Sequence, residues 1–186
     1  MTFGMHALFR FANLLRGRGL QGRRIGLGAR HFGFLFDGQF LALTQMRLAL
    51  SRTSGQHGTD EMYGKKPVAA MLGEAMGIVF QAPGAKTVYV VGDTVWRAEV
   101  DQTLEKFKPD VIIVNTGDAR MVGYAGSIIM GKDDVLHAYE AMPHATIIAT
   151  HMDAINHMTL SRKDLREHVK QHGIQDRVRI PEDGEV

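Results

Sequence analysis

Three short apolar runs in this chain each stop at a polar or ionisable residue. They are Val88 to Val91 before Gly92-Asp93-Thr94, Val111 to Val114 before Asn115-Thr116-Gly117, and Thr146 to Thr150 before His151. β-Branched runs of this length, separated by stretches of helical spacing, predict buried strands of a largely parallel sheet in an α/β fold. The ends of such strands gather at one rim, where open α/β folds place ligands, so Asp93 and His151 are expected to face one crevice. A carboxylate and an imidazole there suit zinc or a similar ion. Taken alone, Asp93 could equally cap the following helix, and His151 could be a satisfied core histidine.

The pattern between these runs supplies the remaining elements. Gly55-Gln56-His57-Gly58-Thr59 reads as a polar turn, and residues 67–76 as a mixed stretch with room for a short helix. Ile78 to Gln81 and Thr87 to Val91 flank Ala82-Pro83-Gly84-Ala85, a hairpin turn. Val100, Leu104 and Phe107 recur at helical spacing and stop before Pro109. The Gly-rich stretch 116–131 is long enough for an active-site cover. Asp133 and Asp134 suit the first turn of a helix running to about Ala141. Ser161 with Asp164 three residues on predicts a capped helix ending near His172, with Gly173 as its stop. Arg177 to Ile180 closes the chain as a short strand.

Composition changes the picture in one respect. The 186 residues suit one domain, and 45% apolar with 23% charged residues is ordinary for a soluble globular protein. Cysteine is absent, which excludes disulfides and thiolate metal sites and leaves His, Asp and Glu as metal donors. No run reaches the roughly 20 apolar residues of a membrane helix, and a cytoplasmic protein is expected. The net charge of +2 is unevenly spread. Up to Thr59 there are eight Arg and one acid, Asp37, a balance of +7, so the rest carries −5. We therefore divide the chain into an atypical basic, Arg/Gly/Phe-rich segment 1–54 and a regular domain 55–186. Three causes suit such a segment: a basic arm for nucleic acid or an anionic surface, a transit peptide, or a shifted reading frame.

Four stretches now share one likeness. Gly55-Gln56-His57-Gly58-Thr59-Asp60-Glu61-Met62, Gly92-Asp93-Thr94, Gly126-Ser127-Ile128-Ile129-Met130-Gly131, and His151-Met152-Asp153-Ala154-Ile155-Asn156-His157, in this order, resemble the metallo-β-lactamase superfamily, and within it the L-ascorbate-6-phosphate lactonase branch. The resemblance covers about residues 50–186. It implies the C-terminal part of an αββα sandwich, so an incomplete one, with one or two ions, zinc or manganese, at one edge. It further implies His57, Asp93 and His151 as metal ligands, Asp93 bridging two ions beside a catalytic metal-bound hydroxide. Asp153 and His157, close behind His151, suit either substrate-binding or ligand-supporting groups or a loop hydrogen-bond network. The expected reaction is hydrolysis of a lactone or other ester-like bond in a small molecule, by a homo-oligomer or with a completing chain, and without nucleic acid.

The family's H-x-H-x-D-H motif is absent; upstream of His57 stand only His6 and His31. A catalytic zinc takes about three protein ligands, so two per ion would bind weakly and acidify bound water poorly. A second reading is therefore a non-catalytic binding module whose basic segment contacts nucleic acid or an acidic surface. Other motifs are dismissed. His168 and His172 stand four apart, but Glu167 precedes them, so H-E-x-x-H is not met and both are expected to decorate a helix C-terminus. Asp118, Arg120 and Lys132 read as solvated loop charge. No Gly-rich phosphate loop follows any strand.

Overall fold

A computed structural model describes residues 48–153 and 156–185. The basic segment lies outside the described residues as far as Arg47. Its expected boundary at residue 54 falls inside a strand, β1, Ala49–Gln56. After it come two short helices, α1 (Asp60–Tyr63) and α2 (Lys66–Leu72), then β2 (Glu74–Gln81), β3 (Val88–Val90) and α3 (Ala98–Phe107). The chain continues through β4 (Val111–Asn115), α4 (Lys132–Ala141), β5 (Thr146–Thr150), α5 (Arg162–Gln171) and β6 (Val178–Arg179).

The six strands form one sheet in sequence order. β1, β2 and β3 pair antiparallel, with Thr53 opposite Gly77 and Ile78 opposite Val90. β3 to β6 are parallel, with Val90 opposite Ile113 and Asn115 opposite Thr150. Parallel neighbours require crossovers, and α3, α4 and α5 supply them. Period-2 alternation puts Val79, Tyr89, Ile112, Val114, Ile147 and Ala149 on one buried face. Val100 and Leu104 of α3, Val135 and Ala138 of α4, and Leu165 and Val169 of α5 join it in one core. The opposite face, with Ile78, Val90, Ile113 and Ile148, is half-buried.

One local expectation is corrected, and two others gain detail. The polar turn at 55–59 begins inside β1, because Gly55 and Gln56 pair with Ala75 and Glu74. The mixed stretch 67–76 divides, its helix ending at Leu72 and β2 already formed at Glu74. The stretch 116–131 folds back on itself. Its two arms pair through Asp118 N to Met130 O (3.0 Å) and Ile128 N to Ala119 O (2.8 Å), and Ala119, Ile128 and Ile129 are buried together.

Candidate metal centre

Parallel strands deliver their following residues to a common edge. Asp93 follows β3 by way of Gly92, Asn115 ends β4, and His151 follows β5 directly. The geometry brings these three together. Asn115 Nδ2 donates to Asp93 Oδ1 at 2.6 Å, and His151 Nε2 stands 3.8 Å from the same oxygen. Thr150 Oγ1 donates to Asn115 Oδ1 at 3.1 Å, which fixes the amide so that its NH2 faces Asp93. Asp93 and His151 are each somewhat more than one-third exposed, open to a ligand from solvent.

Two glycines make this close arrangement attainable. Gly92 has φ +81, and a Cβ there would meet Met76 O at 2.2 Å. At Gly117 a Cβ would meet Met158 Sδ at 2.2 Å and His151 O at 2.4 Å, so only glycine lets the two loops touch. His151 and Asp153 themselves adopt left-handed backbone, φ 64 and 59. Such non-glycine conformations persist where the surroundings dictate them. Here the Asp153 carboxylate accepts from Arg162 N at 3.0 Å and Arg162 Nη1 at 3.1 Å, tying the loop to the start of α5.

The other sequence-derived candidates spread around this pair. His57, just past β1, is joined to the rim by its neighbour: Gln56 N donates to Thr94 Oγ1 at 2.9 Å, and Val95 N donates to Gln56 O at 3.0 Å. Its Nδ1 lies 3.0 Å from Leu72 O. A carbonyl only accepts, so Nδ1 is the donor there, and in the neutral ring this makes Nε2 the nitrogen with the lone pair a metal ligand needs. The exposed Asp153 faces Arg162 as described. His157 is also exposed, and its carbonyl accepts from Arg120 N at 3.1 Å. Asn115 was missed as a site residue; its signal was its place as the polar stop of the middle apolar run.

A catalytic zinc takes about three protein ligands. Among the described residues no group of three or more His, Cys, Asp or Glu side chains is placed to hold a metal ion. Asp93 and His151 alone therefore do not fit a catalytic ion. No helix among the described residues is long and apolar enough to cross a membrane.

The described residues thus form one mixed sheet with a carboxylate–histidine pair at its parallel strand ends. The order of its motifs resembles that of the metallo-β-lactamase superfamily, and the chain is similar to the relatives that follow. It is 40% identical over 138 residues to the UPF0173 protein YddR of Bacillus subtilis (strain 168), covering 74% of this chain and 52% of that protein. A solved structure described as a possible metal-dependent hydrolase from Veillonella parvula DSM 2008 is 44% identical, TM-score 0.73, over 82% of this chain and 55% of that one. An isothiocyanate hydrolase from Delia radicum gut bacteria is 42% identical, TM-score 0.73, with the same coverage. The chain thus spans about half the length of these relatives. No family model matches it.

Proposed function

We propose that this chain contributes the C-terminal half of a metal-dependent hydrolase centre, acting on an electrophilic carbon of a small molecule such as a lactone or other ester-like bond. Asp93, His151 and His57 are the donors it offers, although among the described residues they do not converge as a set of three. The observation that supports this reading is the Asp93–His151 pair, 3.8 Å apart beyond the ends of β3 and β5 and braced by Asn115 of β4, the strand between them. The relatives add to it: one is described as a possible metal-dependent hydrolase and another as an isothiocyanate hydrolase, whose substrate also offers an electrophilic carbon. The ion is a borderline or hard divalent cation, zinc or manganese, as imidazole with carboxylate prefers. Because the described donors fall short of a catalytic set, hydrolysis belongs to a site completed by further ligands, from a completing chain.

The test is metal content by elemental mass spectrometry, on the chain alone and on the chain co-expressed with the N-terminal half of the Veillonella parvula relative. Little metal alone, one to two ions per complemented complex, and loss of that metal in Asp93→Ala and His151→Ala are expected. Hydrolysis of a lactone panel and of an aryl isothiocyanate by the complex then separates the substrate classes. Full metal retention in both variants would refute the assignment.

A further inference from the structure

A cleft of about 480 Å³ opens between the segment at Asp118–Arg120, the start of α4 and the outer turns of α5. This is within the size range of small-molecule sites. Five carboxylates line it against two cationic side chains, Arg120 and Lys132. Several of these acids are already engaged. Asp118 accepts from Arg120 Nη2 at 2.8 Å, Asp134 from Gly131 N at 2.8 Å, and Asp164 from Ser161 Oγ at 2.6 Å. Asp133 is different: its Oδ1 stands 3.9 Å from His168 Nε2, beyond hydrogen-bond reach.

His168 is the second observation. Its side chain is 9% exposed, and its Nε2 is buried without any hydrogen-bond partner among the described residues. This corrects the expectation that His168 decorates the outside of a helix end. It lies between Leu165 and Val169 on the buried face of α5 and turns its ring edge toward Asp133 at the cleft wall. A buried polar atom left unpaired is costly, and native proteins rarely keep one without a partner from solvent or ligand. Burial, helped by His172 and Lys132 and opposed by Asp133, holds the imidazole below its usual pKa. The ring is thus neutral at physiological pH, and its Nδ1–H tautomer presents Nε2 as an acceptor.

We propose that this cleft binds a small organic polycation through a primary ammonium group seated between Asp133 Oδ1 and His168 Nε2. A nitrogen about 2.9 Å from each acceptor can donate to both across the 3.9 Å gap once the atoms that cover the buried Nε2 move aside. The excess of carboxylates favours a cation over an anion. Glu167, on the same helix and lining the same cleft, offers a carboxylate to a second amine. A bare metal ion is disfavoured because no three donors in the described residues converge. The site is separate from the Asp93–His151 pair and does not rest on the hydrolase reading.

The test is isothermal titration calorimetry of the full chain with spermidine at 150 mM NaCl, with hexamethonium as a cation that lacks N–H donors. Saturable one-site binding of spermidine, at least 10-fold tighter than hexamethonium, is expected. Asp133→Asn and His168→Phe should each weaken it at least 10-fold with far-UV circular dichroism unchanged. Asp133 is exposed, so its variant reads out even if His168→Phe does not fold. Equal affinity for hexamethonium, indifference to Asp133→Asn, or no saturable binding would overturn the proposal, the last leaving His168 with a buried water only.

Discussion

Replacing Gly92 by alanine tests the structural basis of the strand-end pair. Gly92 sits at φ +81 with its Cα hydrogen turned toward β2, so a methyl group would come within 2.2 Å of Met76 O and 3.1 Å of Met76 C. Two costs combine. A left-handed conformation for a non-glycine residue costs about 1–2 kcal/mol. Forcing a methyl into a backbone oxygen requires the β2–β3 pairing to shift, and overpacking of this kind costs roughly 1–3 kcal/mol more. Gly84 separates the two: its φ is +71, but nothing lies within 4 Å of its Cβ position, so Gly84→Ala carries only the conformational cost. Both variants lose the same glycine freedom in the unfolded chain, and that contribution cancels in the comparison. Urea denaturation followed by circular dichroism should therefore show Gly92→Ala less stable than Gly84→Ala by about 1–3 kcal/mol, a large share of a typical domain stability of about 5–15 kcal/mol. Equal stabilities would refute the close approach of Gly92 to Met76, and with it the account of how Asp93 reaches the rim.

Two further outcomes follow from local chemistry. Ser161 Oγ accepts from Asp164 N at 3.1 Å at the start of α5, so Ser161→Ala should lower stability by about 1 kcal/mol in a thermal melt, and Ser161→Asn should restore most of it. His168 has its folded pKa depressed below the usual 6.5 by burial, so the stability it contributes is present above that pH and is lost as pH falls through the folded value. The chain should melt earlier at pH 5 than at pH 7, and His168→Gln should flatten that slope; an unchanged slope would contradict the burial of a neutral ring.

The central strands were legible because β-branched runs buried against helices leave a continuous apolar signature, as in Val111 to Val114 and Thr146 to Thr150. Their polar stops located Asp93 and His151 for the same reason. β1 was not legible. Of Ala49–Gln56 only Thr53 is buried, and the strand is defined by pairing with β2 rather than by an apolar face of its own. Gly77 shows how close that pairing is, since a Cβ there would meet Thr53 Oγ1 at 2.6 Å. The internal pairing of the 116–131 stretch was not legible, because glycine content and length say nothing of the hydrogen bonds that fold it back on itself. His168 could have been found. Leu165, His168 and Val169 follow i, i+3, i+4 spacing, which puts the histidine on the apolar stripe of α5 rather than at its solvated end.

The in-register pairing of β3, β4 and β5 acts as a ruler with coarse markings. Asn115 opposite Thr150 sets His151 one step beyond the last paired residue, and Val90 opposite Ile113 sets how far the chain must travel to reach Asp93. Sliding β5 by one residue would move His151 by about 3.3 Å and turn its side chain to the other face, and sliding by two would restore the face but carry it about 6.6 Å away. The spacing of the pair can therefore change only in jumps too large for any shared ion to span. Fine adjustment of this rim has to come from the loops that follow the strands, where Gly92 and Gly117 already fix the path, so the strands hold the distance while the loops hold the aim.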